Sequence, residues 1–132
     1  MIVTSIYAAL LSLLYVVLSV RVIGARRSLR IGLADGGNRL LIRRIRVHAN
    51  FVEYVPLGLI LMLLAETQRG PKSWVHVIGL LLLCGRLVHA YGVGQEPEVR
   101  YCRSIGMVLT FGTLIVGSLL NIFLFYLGPG RI

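Results

Sequence analysis

At 132 residues, 57% hydrophobic and 14% charged, with a mean hydropathy of +0.83, the chain is too apolar for an ordinary soluble domain and reads as one small integral membrane protein. The formal charge of +9 does not point to nucleic acid, because the basic residues lack interleaved aromatic stacking positions and sit beside long apolar runs. Anionic lipid headgroups and an anionic ligand are the partners that suit them.

Ile2 to Val20 is 19 residues without a charge, close to the length that crosses ~30 Å of hydrocarbon. It predicts a first span over 2–23. No positive n-region precedes the run and no small-residue cleavage site follows it, so it is expected to stay as a span and not be removed as a signal peptide. The Asp35-Gly-Gly-Asn38 turn signal then reverses the chain. A second helix is expected over 39–68. After the Arg69-Gly-Pro-Lys72 turn a third is expected over 73–93, with Trp74 as an interfacial anchor. Gly94-Gln-Glu-Pro-Glu98 interrupts it, and a fourth is expected over 100–127 with its stop at Gly128-Pro-Gly130. The connections carry eight Lys and Arg from Arg21 to Arg46, two at Arg69 and Lys72, and two at Arg100 and Arg103. The positive-inside rule therefore places the first and third connections in the cytoplasm and both termini outside. The expected fold is all-α, an up-down-up-down four-helix bundle forming a single domain over 1–132.

Arg43, Arg46, Asn50 and Glu53 fall within roughly an 80° sector of one helix face, and their helix runs on into the uncharged stretch Tyr54 to Ala65. Ionisable groups at that depth are costly unless they face a bundle interior, pair with one another or hold a polar ligand. Glu53 is the most expensive of them. An ion pair from Glu53 to Arg86 on the third helix is one way to satisfy both; it would either lock the helices or form part of a ligand site. Arg86 and His89 are spaced i, i+3 and look the same way, whereas Tyr91 points elsewhere on a regular helix. His48, His76 and His89 have no second ligand three or four residues on, so no metal site is expected. Arg103 and Ser104 open the fourth helix, where free backbone N–H groups and the positive dipole end favour an anion. Cys84 and Cys102 fit neither a metal spacing nor a disulfide framework and are expected as free thiols.

The string Arg46-Val-His-Ala-Asn50-Phe-Val-Glu53-Tyr-Val-Pro56, the Gly85-Arg86-Leu-Val-His89 stretch and the later Arg103-Ser104 closely resemble the MAPEG superfamily, the membrane-associated proteins of eicosanoid and glutathione metabolism. With the Asp35-Gly-Gly37 turn they look like its small bacterial branch, over essentially the whole chain, which implies a bacterial inner-membrane protein. The resemblance implies a homotrimer with glutathione, the co-substrate, bound between neighbouring subunits at the cytoplasmic end. Arg46, Asn50 and Glu53, with Arg43 on the same face, would hold its polar backbone. Arg86 and His89 would line the pocket, and Arg103 with Ser104 beside it would face the sulfur. Arg26, or Arg27 in its place, would add a contact from the first helix. Eicosanoid enzymes of the family carry a Tyr one turn after the position of His89. Here Val93 stands there, and Tyr91, counted with the binding set, and Tyr101 are the nearest phenols.

That departure implies a general activity instead of a prostaglandin or leukotriene role: conjugation of glutathione to hydrophobic electrophiles arriving from the membrane lipids, or reduction of lipid hydroperoxides, as in detoxification. A non-enzymatic lipid-binding or scaffold protein of the same architecture stays open beside it. In the catalytic reading a guanidinium, which keeps its proton at neutral pH, is no base but can hold a negative sulfur. Lowering a thiol pKa by about two units takes ~2.7 kcal/mol of differential stabilisation, the scale expected of one Arg, a hydroxyl and a helix N-terminus in a partly dry site.

Overall fold

The computed structural model describes residues 3–127; Ile2, where the first apolar run begins, and the expected stop at Gly128-Pro-Gly130 lie outside the described residues. The four apolar runs form four helices: α1 (Val3–Leu29), α2 (Arg39–Thr67), α3 (Lys72–Gly94) and α4 (Arg100–Leu127). Each is long and apolar enough to cross a membrane. The shortest, α3, has 23 residues, about 35 Å of helix. The bundle is four-helical and all-α, as the apolar pattern predicts.

Local chemistry explains the boundaries. Asn38 caps α2 by accepting a hydrogen bond from the Leu41 N–H at 3.1 Å, and the Asp35 carboxylate accepts from the Gly37 N–H at 2.9 Å, with Gly36 and Gly37 at positive φ in the turn. α1 runs past the expected end at residue 23 to Leu29, so Arg21, Arg26 and Arg27 stand on a helix that projects beyond its apolar run. It closes where Arg30 takes φ 57° and the Ile31 N–H reaches the Arg26 carbonyl at 3.0 Å. Pro56 lies inside α2, which continues through it.

Cross-helix contacts run in opposite sequence directions between successive helices, from Val3 with Glu66 to Arg21 with Arg44, and from Asn50 with Arg86 to Arg43 with Val93. Neighbours are therefore antiparallel. α2 and α3 each touch all the other helices, whereas α1 makes no contact with α4. The core between them includes Leu11, Met62, Val75, Ile78 and Leu82, all nearly inaccessible, while Leu13, Val16, Leu80, Val108, Ile115 and Leu119 face outward, where lipid would cover them. The α3–α4 seam is tightest because small residues let backbones meet. A Cβ on Gly106 would lie 2.6 Å from the His89 nitrogen, and one on Gly92 would lie 2.5 Å from the Arg103 nitrogen. That seam brings His89 of α3 and Arg103 of α4 to the same end of the helix pair.

The end of the bundle away from Arg39 and Arg103 has its own polar set, which the sequence reading did not single out. Both oxygens of the Glu66 carboxylate accept from the first N–H groups of α1, Val3 at 2.6 Å and Thr4 at 2.7 Å. A carboxylate from one helix thus satisfies donors that a helix N-terminus leaves without intrahelical partners, at the positive end of its dipole. Asn121 donates to the Leu61 and Gly117 carbonyls and accepts from Gln68, and Tyr7 hydrogen-bonds His76, so polar groups lie at both ends. Glu66→Ala is expected to cost about 1–2 kcal/mol. In detergent it should lower the thermal midpoint and speed hydrogen exchange at the Val3 and Thr4 amides; unchanged exchange there would refute the cap.

Candidate functional site

Arg39, Arg43, Arg46, Asn50 and Glu53 form one i, i+3/i+4 stripe along α2. Together with Ile42 and Ala49 they make one wall of a cavity of about 620 Å³ at the end of the bundle where α2 and α4 begin. His89 and Val93 of α3, Glu98 of the following connection and Arg103 of α4 make the rest. The volume is in the range that holds a small peptide-sized molecule. The cavity opens toward a second space of about 520 Å³ bordered by Arg39, Arg43, Glu96, Pro97, Glu98 and Arg100.

The structure brings together six of the residues expected from sequence: Arg43, Arg46, Asn50, Glu53, His89 and Arg103. It places four others elsewhere. Arg86 is 2% exposed and lies behind the wall, not on it. Arg26 turns to its own connection, donating to the Ala34 carbonyl at 2.7 Å and to the Gly32 carbonyl at 3.4 Å, on the helix that does not touch α4. Tyr91, two residues past His89, faces outward and 58% of it is exposed. Ser104 is exposed beside Arg103 and does not border the cavity. Two charged cavity residues, Arg39 and Glu98, were not singled out. Arg39 continues the α2 stripe by one more turn, so the same periodicity would have found it.

The expected Glu53–Arg86 ion pair does not form. Arg86 instead donates from Nη1 to the Asn50 side-chain oxygen at 2.6 Å and to the Asn50 carbonyl at 3.4 Å, and from Nη2 to the Thr110 hydroxyl and to the Gly106 carbonyl at 3.3 Å. Its guanidinium carbon lies 5.6 Å from the centre of the Tyr54 ring, a cation–π contact. One buried cation therefore joins α2, α3 and α4 through neutral oxygens and an aromatic face. Glu53 is exposed to the cavity and has no hydrogen-bond or ion-pair partner among the described residues. The reason is angular: Asn50 and Glu53 are 60° apart on α2, and it is the Asn50 side that meets α3.

This pairing gives Asn50 an orientation. With its carbonyl oxygen taken by Arg86, its amide N–H groups are left to donate toward the cavity. Among the described residues Arg43 has only a long contact of 3.5 Å to the Val93 carbonyl. Arg103 is ion-paired to Glu98 at 3.1 Å, with 58% of the Arg103 side chain and 26% of the Glu98 side chain exposed. The cavity thus offers four arginines against two glutamates, plus oriented amide donors. Such a set fits a ligand with carboxylates, a peptide carbonyl and one ammonium group. Cys84 and Cys102 are both free thiols, as expected, and neither borders the cavity.

A bundle of four membrane-length helices with a polar, arginine-lined cavity at one end is the architecture present. The profile of the MAPEG family matches residues 4–123, and the chain belongs to that family. It is similar to the inner membrane protein YecN of Escherichia coli (strain K12), 40% identical over 121 residues that cover 91% of this chain and 90% of the relative. The protein of the same name from Escherichia coli O6:H1 (strain CFT073) matches to the same extent. No solved structure matches the chain significantly.

Proposed function

We propose that this MAPEG-family chain is a glutathione-dependent enzyme of the bacterial inner membrane, which joins glutathione to hydrophobic electrophiles, reduces lipid hydroperoxides, or does both. The observation that carries the reading is the convergence of Arg39, Arg43, Arg46, oriented Asn50, partnerless Glu53 and Arg103 on one cavity at the end of a lipid-facing bundle. The arginines hold the two carboxylates of glutathione, Asn50 donates to a peptide carbonyl and Glu53 takes the ammonium. Arg103 holds the sulfur as thiolate. In transfer, the thiolate electron pair forms an S–C bond and the leaving group departs with its own pair. In reduction, a hydroperoxide and two thiols give an alcohol, water and the disulfide.

His89 lines the same cavity, while Arg86 acts through Asn50. Ser104, Tyr91 and Arg26 stand outside the single-chain cavity, and in this reading they contribute from a neighbouring copy in a homotrimer. Such a neighbour would also cover the exposed side of Arg103. The excess of Lys and Arg in the first and third connections favours a cytoplasmic site with both termini outside. A second reading, a lipid-binding protein without catalysis, draws on an apolar groove of about 240 Å³ between α1 and α2, lined by Leu11, Tyr15, Phe51, Val55 and Leu59 among others.

Calorimetric titration of the detergent-solubilised protein with glutathione is expected to show binding, accompanied by ultraviolet absorbance of a bound thiolate. Absence of glutathione binding would sink the proposal. Binding with no thiolate signal would leave the cavity as a glutathione site and remove the chemistry.

A further inference from the structure

Of the four arginines bordering the cavity, only Arg103 has a carboxylate partner among the described residues. That partner, Glu98, is the more enclosed member of the pair and also borders the space at the cavity mouth. The next residue, Val99, is tied twice: its N–H donates to the Gly92 carbonyl at 3.1 Å, and its carbonyl accepts from the Arg103 N–H at 3.2 Å. The carboxylate is thereby held at the start of α4, against Arg103 in the first turn of that helix.

We propose that Glu98 is a positioning residue for Arg103, a built-in carboxylate that occupies the guanidinium until an anionic sulfur displaces it and that returns once the sulfur has become a neutral thioether. The inference rests on the proposed glutathione reading. Its physical basis is an exchange of anions. A thiolate can replace a carboxylate on an arginine because both are negative acceptors of charge-assisted hydrogen bonds, whereas a thioether has no charge to compete with. The pair therefore weakens binding of every ligand that needs Arg103, and leaves the affinity of the conjugated product, whose neutral sulfur does not compete for the guanidinium, nearly untouched. Because the pair is substantially exposed, its effect is small, on the order of threefold in affinity.

The test compares glutathione with S-methylglutathione, which keeps both carboxylates and the ammonium and lacks an ionisable sulfur. Dissociation constants are measured for the wild type, Glu98→Gln, Arg103→Ala and the double variant. Glu98→Gln is expected to tighten glutathione about threefold, to leave S-methylglutathione nearly unchanged, and to have no effect in the Arg103→Ala background. Equal tightening of both ligands would show a general field effect and overturn the proposal, as would unchanged glutathione affinity in Glu98→Gln. If the wild type binds neither ligand, the glutathione reading itself has failed and this inference goes with it. If Glu98→Gln does not fold, Glu98→Ala is read by the same criteria.

Discussion

Arg103→Ala is expected to remove most of the bound-thiolate absorbance while leaving the helical content and the thermal midpoint of the protein unchanged. The side chain is 58% exposed and its polar partner among the described residues is Glu98, so the fold owes it little. Two unit charges 4 Å apart attract by about 1 kcal/mol in water and about 4 kcal/mol at the effective dielectric near a protein surface. At the exposure of Arg103 the lower part of that range applies. One pKa unit is about 1.4 kcal/mol, so Arg103 in the single-chain geometry lowers the ligand thiol by about one unit from its usual 8.5. The two units expected from sequence require a drier site, which a neighbouring copy would supply. The measurement is a pH titration of the ultraviolet thiolate signal. The midpoint should rise by at least about one unit in Arg103→Ala, and an unchanged midpoint would show that the sulfur sits elsewhere. Since the thiolate is the charged form, the wild-type signal is gained as pH rises through the lowered midpoint and lost below it.

Arg86 separates structure from function in another way. Arg86→Ala is expected to destabilise the protein by about 2–4 kcal/mol, because it empties a large, nearly inaccessible volume at the meeting of three helices. It also leaves the Asn50 side-chain oxygen without its donor. Arg86→Met refills most of the volume without a charge. A buried cation is costly to desolvate, and an apolar side chain of similar size often replaces buried charge at little loss. Arg86→Met should therefore recover most of the stability. It should still bind glutathione about tenfold more weakly, the cost of one hydrogen-bond donor set left unoriented. Thermal inactivation half-lives in detergent read the first effect, and calorimetric titration reads the second. If Arg86→Met bound glutathione as well as the wild type, the orienting role of Arg86 would be wrong.

Much of the site was legible because α2 is regular. A stripe at i, i+3 and i+4 must share a face, so Arg43, Arg46, Asn50 and Glu53 line one wall whatever the neighbouring helices do. The turn before α2 was legible for a similar reason, since the Asp35-Gly36-Gly37-Asn38 signal acts over a few residues. The partners of Glu66 and Arg86 were not, because each lies across helices far apart in sequence. Sequence spacing says which way a side chain faces on its own helix and nothing about the rotation of the next one.

The chain's own pattern of charge and apolarity thus determined four membrane-length helices, their order, and the polar face of α2, because hydrophobic length and helical period are local properties. Tertiary structure alone decided that Arg86 would lie behind the wall on Asn50 and Thr110, that Glu53 would be left facing the cavity, and that Glu98 would take Arg103. The physical reason is that each depends on the neighbouring helix: α3 and α4 meet closely at Gly85, Gly92 and Gly106, which puts Arg86 within reach of Thr110 and the Gly106 carbonyl, and no local pattern on α3 specifies that approach.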